Sequence, residues 1–184
     1  MILKTERLIL RNIREKDINH LIEGINNIKV SRYLLVVPHP YTKNDAKWWI
    51  KECAKKARQR PIKDYNFSIE LKSEKKLIGA VGLHNLNRFQ GTAEIGYWLG
   101  ENYWRQGIMY EASRAILDFA FKKLKLRRID VSVFAENKAS NSLVKKLGFR
   151  YEGTRIKRCK AKATGKIHDE NVYGLLKGDY VKKK

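Results

Sequence analysis

Cysteine and proline are scarce, two and three in 184 residues, so neither a disulfide framework nor a proline-rich linker organises this chain. Cys53 and Cys159 lie far apart and read as free thiols of a reducing cytoplasm. No stretch approaches the roughly 20 apolar residues that a membrane span needs. The opening Met1-Ile-Leu-Lys-Thr-Glu-Arg7 lacks the positive-then-apolar order of a secretory signal. These absences point to a soluble cytoplasmic protein without a membrane partner. Acidic residues are few as well: nineteen Asp and Glu stand against forty Lys and Arg, a formal charge of +21. Such a charge attracts nucleic acid, acidic proteins or polyphosphate cofactors, or it is simply a lysine-rich solvated surface, and charge alone does not choose among these.

What is present is a globular composition, 43% hydrophobic, with no repeat and no low-complexity tract. The length suits one domain over residues 1–184, with an ordered core across about 5–178 and a loose basic tail over 180–184. Leu8 to Ile13 reads as a first strand. Ile18, Leu21, Ile22 and Ile25 then share a helical face behind Asp17. Thr42-Lys-Asn-Asp45 has the form of a capping box, and Ala46, Trp49, Ile50, Cys53 and Ala57 follow at helical spacing. Tyr65 to Leu71, Lys76 to His84 and Thr92 to Leu99, separated by turn-like segments, predict a three-stranded antiparallel meander. A helix after Gly107 places Ala112, Ala115, Ile116, Phe119, Ala120 and Leu124 on one face. Arg128 to Phe134 reads as a strand, Asn137 as the cap of a helix that stops at Gly148, and two late strands are expected near Phe149 to Glu152 and Asn171 to Leu176.

Chemistry concentrates around Gly107. A strand, a turn with glycine and an amphipathic helix together suit an anion, because the first amides of a helix lack intrahelical partners and the helix dipole favours negative charge there. A lone glycine before a helix is more often a plain turn. The second helix, opening at Glu136-Asn137-Lys-Ala-Ser140-Asn and closing at Leu147-Gly148-Phe149, would run beside the first and bring its polar start to the same ligand.

These two motifs resemble the GNAT superfamily of acetyltransferases, whose pyrophosphate motif is Gln/Arg-x-x-Gly-x-Gly/Ala and whose next motif runs from Asn-x-x-Ser/Ala to Gly-Phe. In Trp104-Arg-Gln-Gly107-Ile-Met109 the central glycine is kept and both outer positions depart, Met109 adding bulk to the loop. Thr5-Glu-Arg-Leu-Ile-Leu-Arg11, Leu77-Ile-Gly79, Ala93-Glu-Ile-Gly-Tyr-Trp-Leu99, Gly107-Ile-Met-Tyr-Glu-Ala112, Asn137-Lys-Ala-Ser-Asn141 and the closing His168-Asp169 with Tyr173 narrow the resemblance to the RimJ/RimL-type branch, the ribosomal-protein N-terminal acetyltransferases and their relatives.

The resemblance implies an α/β (α+β) GNAT fold, a mixed and mostly antiparallel sheet splayed between its fourth and fifth strands, with helices on both faces. It implies acetyl-CoA as donor and no metal. Main-chain groups near Trp98, Leu99 and Gly100 would pair with the pantetheine. The amides of Arg105, Gln106, Gly107, Ile108, Met109 and Tyr110 would hold the pyrophosphate, with Arg105 adding charge, and Asn137 would bond the cofactor near its reactive end. A primary amine would attack the thioester directly, through a tetrahedral intermediate and without a covalent enzyme intermediate. Ser140 is the candidate donor to the departing thiolate, against a serine that merely bonds its own helix start. Relatives that use a tyrosine seven residues after the asparagine have their counterpart here in Val144, so that mechanism is not expected.

For the base, Glu94 alternates with Gly96 and Trp98 and could face the cleft or form a surface ion pair. His168 and Asp169 are the acceptor-side alternatives, His168 also reading as a solvated loop residue. The acidic residue the branch carries after Gly153 is replaced by Arg155-Ile-Lys-Arg-Cys-Lys160. The expected acceptor is the N-terminal amine of a protein, ribosomal proteins included. A polyamine or other small amine is the competitor, and a basic RNA- or ribosome-binding module without catalysis is the alternative of another class. Accessory contact with RNA or an acidic protein surface, and a homodimer, stay open.

Overall fold

The computed structural model describes residues 1–182. Its centre is one eight-stranded sheet in the order β1-β2-β3-β4-β5-β6-β8-β7, formed by β1 (Ile2–Lys4), β2 (Leu8–Arg11), β3 (Tyr65–Leu71), β4 (Lys76–Asn87), β5 (Thr92–Leu99), β6 (Arg128–Phe134), β7 (Arg150–Lys160) and β8 (Ile167–Leu176). Every neighbouring pair is antiparallel except β5 with β6. That parallel pair is short: Thr92, Ala93 and Glu94 lie opposite Arg128, Ile129 and Asp130, and beyond them the two strands diverge. The divergence is the expected splay, and in the eight-strand count it falls between β5 and β6.

Helices cover both faces. On one side lie α1 (Ile18–Ile25), the short α2 (Ile28–Ser31) and α3 (Lys43–Arg58), burying Leu21, Ile25, Tyr41 and Ala46 against Leu77 and Trp98. On the other lie α4 (Ile108–Asp118) and α5 (Lys138–Leu147), whose Ile108, Ala112, Ile116, Val144 and Leu147 join the large core with Phe67, Val81, Ile95 and Ile129. Strand alternation sorts β5 accordingly: Ala93, Ile95 and Leu99 enter the α4 side, while Trp98 packs on the α1 side.

Local chemistry accounts for the element ends. Thr42 Oγ1 accepts from Asp45 N–H and Asp45 returns a bond to Thr42 N–H, the capping box read from sequence. Asn137 Oδ1 accepts from Ser140 N–H at 3.2 Å, and Gly148 ends α5 at φ +100°. Beyond α4 the chain widens into a π-turn over Phe119–Lys123, which Leu124 N–H closes onto Phe119 O at 3.0 Å.

The late strands run further than the sequence indicates. Residues 155–160, the cationic stretch beyond the strand expected near Phe149 to Glu152, belong to β7, with a register break between Arg155 and Cys159 and Lys157 at φ +48°. That bulge interrupts the alternation that would have marked a strand. Strand β1 was not anticipated, and helical structure extends into residues assigned to the tail. α6 spans Lys177–Lys182, and Tyr180, assigned from sequence to a loose tail, is buried, with its hydroxyl donating to Asp118 Oδ1 at 2.8 Å. Lys183 and Lys184 lie outside the described residues.

Candidate active site

The splay, α4, α5 and the segment before α3 enclose one large cleft. Its phosphate-sized end is the start of α4. Gly107 is the cap of that helix, at φ +75° and ψ 0°, a left-handed conformation that strains any residue with a Cβ. The first helical bond is Glu111 N–H to Gly107 O, 3.0 Å. The amides of residues 105–110 precede it and have no backbone acceptor among the described residues. Arg105, also left-handed at φ +60°, is exposed beside them. The Gln106 side chain is turned away and donates to Asn102 O at 2.9 Å. Ile108 and Met109 are buried in the core. The side chain of Met109 therefore does not crowd the loop as the sequence suggested, because the helical turn carries it into the core. Tyr110 lies beneath Lys146, whose Nζ is 5.0 Å from the ring centroid, and this brings a second cation to the same end.

The loop is fastened from behind. Arg7 donates through Nη1 to Gln106 O at 2.9 Å and through Nε to Glu111 Oε2 at 2.7 Å. Glu111 also accepts from Thr5 Oγ1 at 2.5 Å and from Arg7 N–H at 2.9 Å. Burial raises the Glu111 carboxyl, but Thr5 and Arg7 outweigh it and hold the group below its usual range. The Thr5-Glu-Arg7 motif thus ties the turn before β2 to the first turn of α4.

Along β5, part of the main chain proposed to receive pantetheine is already engaged. Gly100 N–H donates to Ile78 O at 2.9 Å, and Leu99 O accepts the Trp104 indole N–H at 2.7 Å. The indole leaves Leu99 O a second lone pair, whereas the Gly100 donor is spent on the sheet. The side chain of Trp98 points to the α1 side, where it sits against Gly24.

Opposite, Ser140 Oγ and the Tyr97 hydroxyl are hydrogen-bonded at 2.8 Å across the splay. Burial pushes the Tyr97 phenol up to about 12, although Ser140 acts to lower it, so it remains a neutral donor. Sequence reading missed Tyr97 because it sits on β5, forty-three residues from Ser140, where only the tertiary pairing reveals it. Val144 is fully buried and does not reach the cleft. Asn137 spends its side-chain oxygen on the helix cap. The next asparagine, Asn141, is a buried hub: its Nδ2 reaches Phe134 O at 3.1 Å and Asn137 O at 2.8 Å, and its Oδ1 accepts from Tyr173 at 2.6 Å and Asn171 at 3.0 Å. It locks the start of α5 to β6 and β8.

On the acceptor side Glu94 is exposed and lines the cleft. His168 and Asp169 do not. His168 is a buried strand residue rather than a loop one. It stacks on Phe134 with ring centroids 4.5 Å apart, and its Nδ1 meets Glu136. Asp169 Oδ1 accepts from Lys157 N–H at 2.7 Å. The neighbouring Glu170 is the residue that lines the cleft. It is buried, and it accepts from Cys159 Sγ at 3.1 Å and from Arg155 at 3.1 Å. Burial and then Glu170 push the Cys159 thiol up to about 11, and burial pushes that of Cys53 up to about 12, so neither is poised as a nucleophile. Among the described residues no cluster of His, Cys, Asp or Glu could hold a metal ion, and no helix is long and apolar enough to cross a membrane.

A helix start with unpaired amides beside a splayed sheet suits an acyl-CoA-dependent transferase, and that is the class the comparisons give. The acetyltransferase (GNAT) domain matches residues 7–150, and the chain belongs to that family, whose acetyl donor is acetyl-CoA. It is similar to the uncharacterized N-acetyltransferase YoaA of Bacillus subtilis, 34% identical over 176 residues, 96% of this chain and 97% of that protein. It is also similar to the ribosomal-protein-serine acetyltransferase of Escherichia coli, 35% identical over 80 residues, 44% of this chain and 45% of that one. The second likeness accords with the resemblance to the RimJ/RimL-type branch read from the sequence motifs. Among solved structures, a GNAT-family acetyltransferase from Bacillus anthracis superposes with a TM-score of 0.80 at 29% identity, covering 97% of this chain and 99% of that one.

Proposed function

We infer that this acetyltransferase acts in the cytoplasm on the N-terminal α-amine of a protein, ribosomal proteins being the class suggested by the Escherichia coli relative. The observation that carries this reading is the charge of the cleft: ten Lys or Arg line it against four Asp or Glu. Arg155, Arg158, Lys160 and Lys162 cluster at the acceptor end. A polyamine would be repelled there, whereas an acidic peptide would be drawn in. Acid–base economy points the same way. An α-amine has a reference pKa near 7.7–8.0 and lysine one near 10.4, so at neutral pH a lysine acceptor needs about 3–4 kcal/mol more to become nucleophilic.

In this reading the amides of residues 105–110, with Arg105 and Lys146, bind the pyrophosphate. The amine attacks the thioester carbonyl in the splay, and the Ser140–Tyr97 pair donates to the sulfur as it leaves. The first helix-start serine hydroxyl is thereby aimed by a phenol from the facing strand, which supports a donor over a serine serving only its own helix. Glu170 and Arg155 take the place assigned from sequence to His168 and Asp169, contacting the acceptor beyond its first residue.

The test is acetyl transfer, read by mass, to peptides with a free N-terminal Ser, Thr or Ala followed by acidic residues, compared with internal-lysine peptides and spermidine. The acidic N-terminal peptides are expected to have the highest kcat/KM at low salt. A higher value for spermidine or for lysine would replace the N-terminal assignment with the small-amine or lysine one.

A further inference from the structure

On the α1 side of the sheet, directly across the β4–β5 pair from Glu94, stands a histidine that the cofactor motifs do not include. His84 lines the cleft together with Gly82, Glu94 and Gly96. Its Nδ1 faces Asp64 Oδ1 at 3.4 Å, and the other Asp64 oxygen is 3.2 Å from Lys56 Nζ. A carboxylate on that side favours a proton on Nδ1 and leaves the lone pair on Nε2. The opposite nitrogen lies over two glycines that pair across the strands, Gly82 and Gly96. A Cβ at Gly82 would come within 3.2 Å of Nε2 and one at Gly96 within 3.4 Å. Gly82 is required in any case by Tyr65 O, 2.6 Å from its would-be Cβ, whereas at Gly96 the imidazole is the only close neighbour. The absence of a side chain at Gly96 therefore leaves the ring room and keeps its free nitrogen beside the strand that carries Tyr97.

Position along β5 makes this significant. The inference rests on the reading above in which Tyr97 and Ser140 donate to the departing sulfur, and Gly96 is the adjoining residue on the opposite face of β5. An amine approaching the thioester carbonyl from the side away from the leaving group comes in over Gly96.

We propose that His84, oriented by Asp64, is the general base that accepts the proton of the acceptor ammonium. The ammonium gives H⁺ to Nε2, and the neutral amine forms the C–N bond as the carbonyl π pair moves to oxygen. Collapse breaks the C–S bond, and the remaining extra proton passes from nitrogen to sulfur through Ser140 and Tyr97. The imidazolium then releases its proton to solvent. The charged groups facing His84 are Asp64 before β3, Lys56 on α3 and Glu94 on β5. Burial lowers its pKa from the ordinary value, with Asp64 opposing, so the ring is neutral and able to accept at pH 7.

The inference rests on acetyl transfer itself and not on the N-terminal assignment, so the test uses whichever amine of the panel reacts fastest. His84→Gln is expected to lower kcat about 10- to 1,000-fold with the Kd for acetyl-CoA within about twofold of the parent. Its kcat/KM should then climb about tenfold per pH unit, following the free amine, instead of levelling off. Asp64→Asn keeps the ring and removes the group that raises its pKa, so the acid limb should move to lower pH. It carries the test if His84→Gln does not fold. A kcat for folded His84→Gln within about twofold of the parent, or an unmoved acid limb in Asp64→Asn, overturns the assignment. So does a Glu94→Gln variant that alone reproduces the full loss.

Discussion

Gly107 separates two demands that a glycine can meet. Its would-be Cβ has only Arg7 Nη2 nearby, at 3.6 Å, so space within the protein does not require glycine, whereas φ +75° does. Asn tolerates that conformation but brings a Cβ to the face where the pyrophosphate approaches. Gly107→Asn should therefore melt close to the parent while losing acetyl-CoA affinity, and Gly107→Val should abolish binding in a chain that still folds. Calorimetry beside a thermal melt reads both, and undiminished binding by a folded Val variant would remove the loop from the cofactor site. Ser140→Ala and Tyr97→Phe each break the same 2.8 Å bond. Each should lower kcat ten- to a thousandfold with little change in acceptor KM, and the double variant should be scarcely worse than the stronger single. Equal and additive losses would mean that the two hydroxyls act separately.

The entry from β2 into α1 is held by a buried ion pair. Arg11 donates to both oxygens of Asp17, 2.7 and 2.8 Å, and to Glu70 at 2.6 Å, with the Arg11 and Asp17 side chains only 3% and 4% exposed. Burial raises the Asp17 carboxyl, but Arg11 and the Arg14 amide outweigh it, and its pKa lies below the ordinary value. That contribution is complete above the unfolded value near 3.9 and is lost as pH falls through the lower folded value. Asp17→Asn leaves the guanidinium with Glu70 as its one carboxylate beside the Asn12 carbonyl and should cost about 3 kcal/mol, a melting point lower by about 6–12 °C, with a shallower loss of stability in acid. Equal melting points would show the pair to be dispensable. Elements of this kind were legible in the sequence because their signals are local: Thr42 with Asp45, Asn137 with Gly148, and the alternation of Thr92 to Leu99. β7 was cut short because its bulge breaks the two-residue period. His84, Tyr97, Glu170 and Asn141 stayed hidden as site residues because each acts through a partner on another element. The turn and helix start at Gly107 were readable because an anion-binding helix N-terminus is a property of one short segment.

Across the molecule, +21 and the basic acceptor mouth bear on the same measurement. Raising salt from about 0.01 to about 0.15 M shortens the screening length from about 30 to about 8 Å, and the advantage of acidic peptides over neutral ones should shrink with it. An advantage that survives high salt would have to come from shape rather than charge. The splay has a consequence of a different kind. Past Glu94 and Asp130, β5 and β6 each turn a strand edge toward the gap, so a sheet of eight strands carries two interior edges in addition to its outer ones. Interior edges are open to unintended pairing with another chain, and their backbone amides exchange with solvent without the protection of a ladder. Deuterium uptake over residues 95–99 and 131–134 should therefore be faster than in β3 and β4 and should slow on addition of coenzyme A. The same additive in refolding buffer should reduce light scattering, which makes the donor substrate a folding aid as well as a reagent.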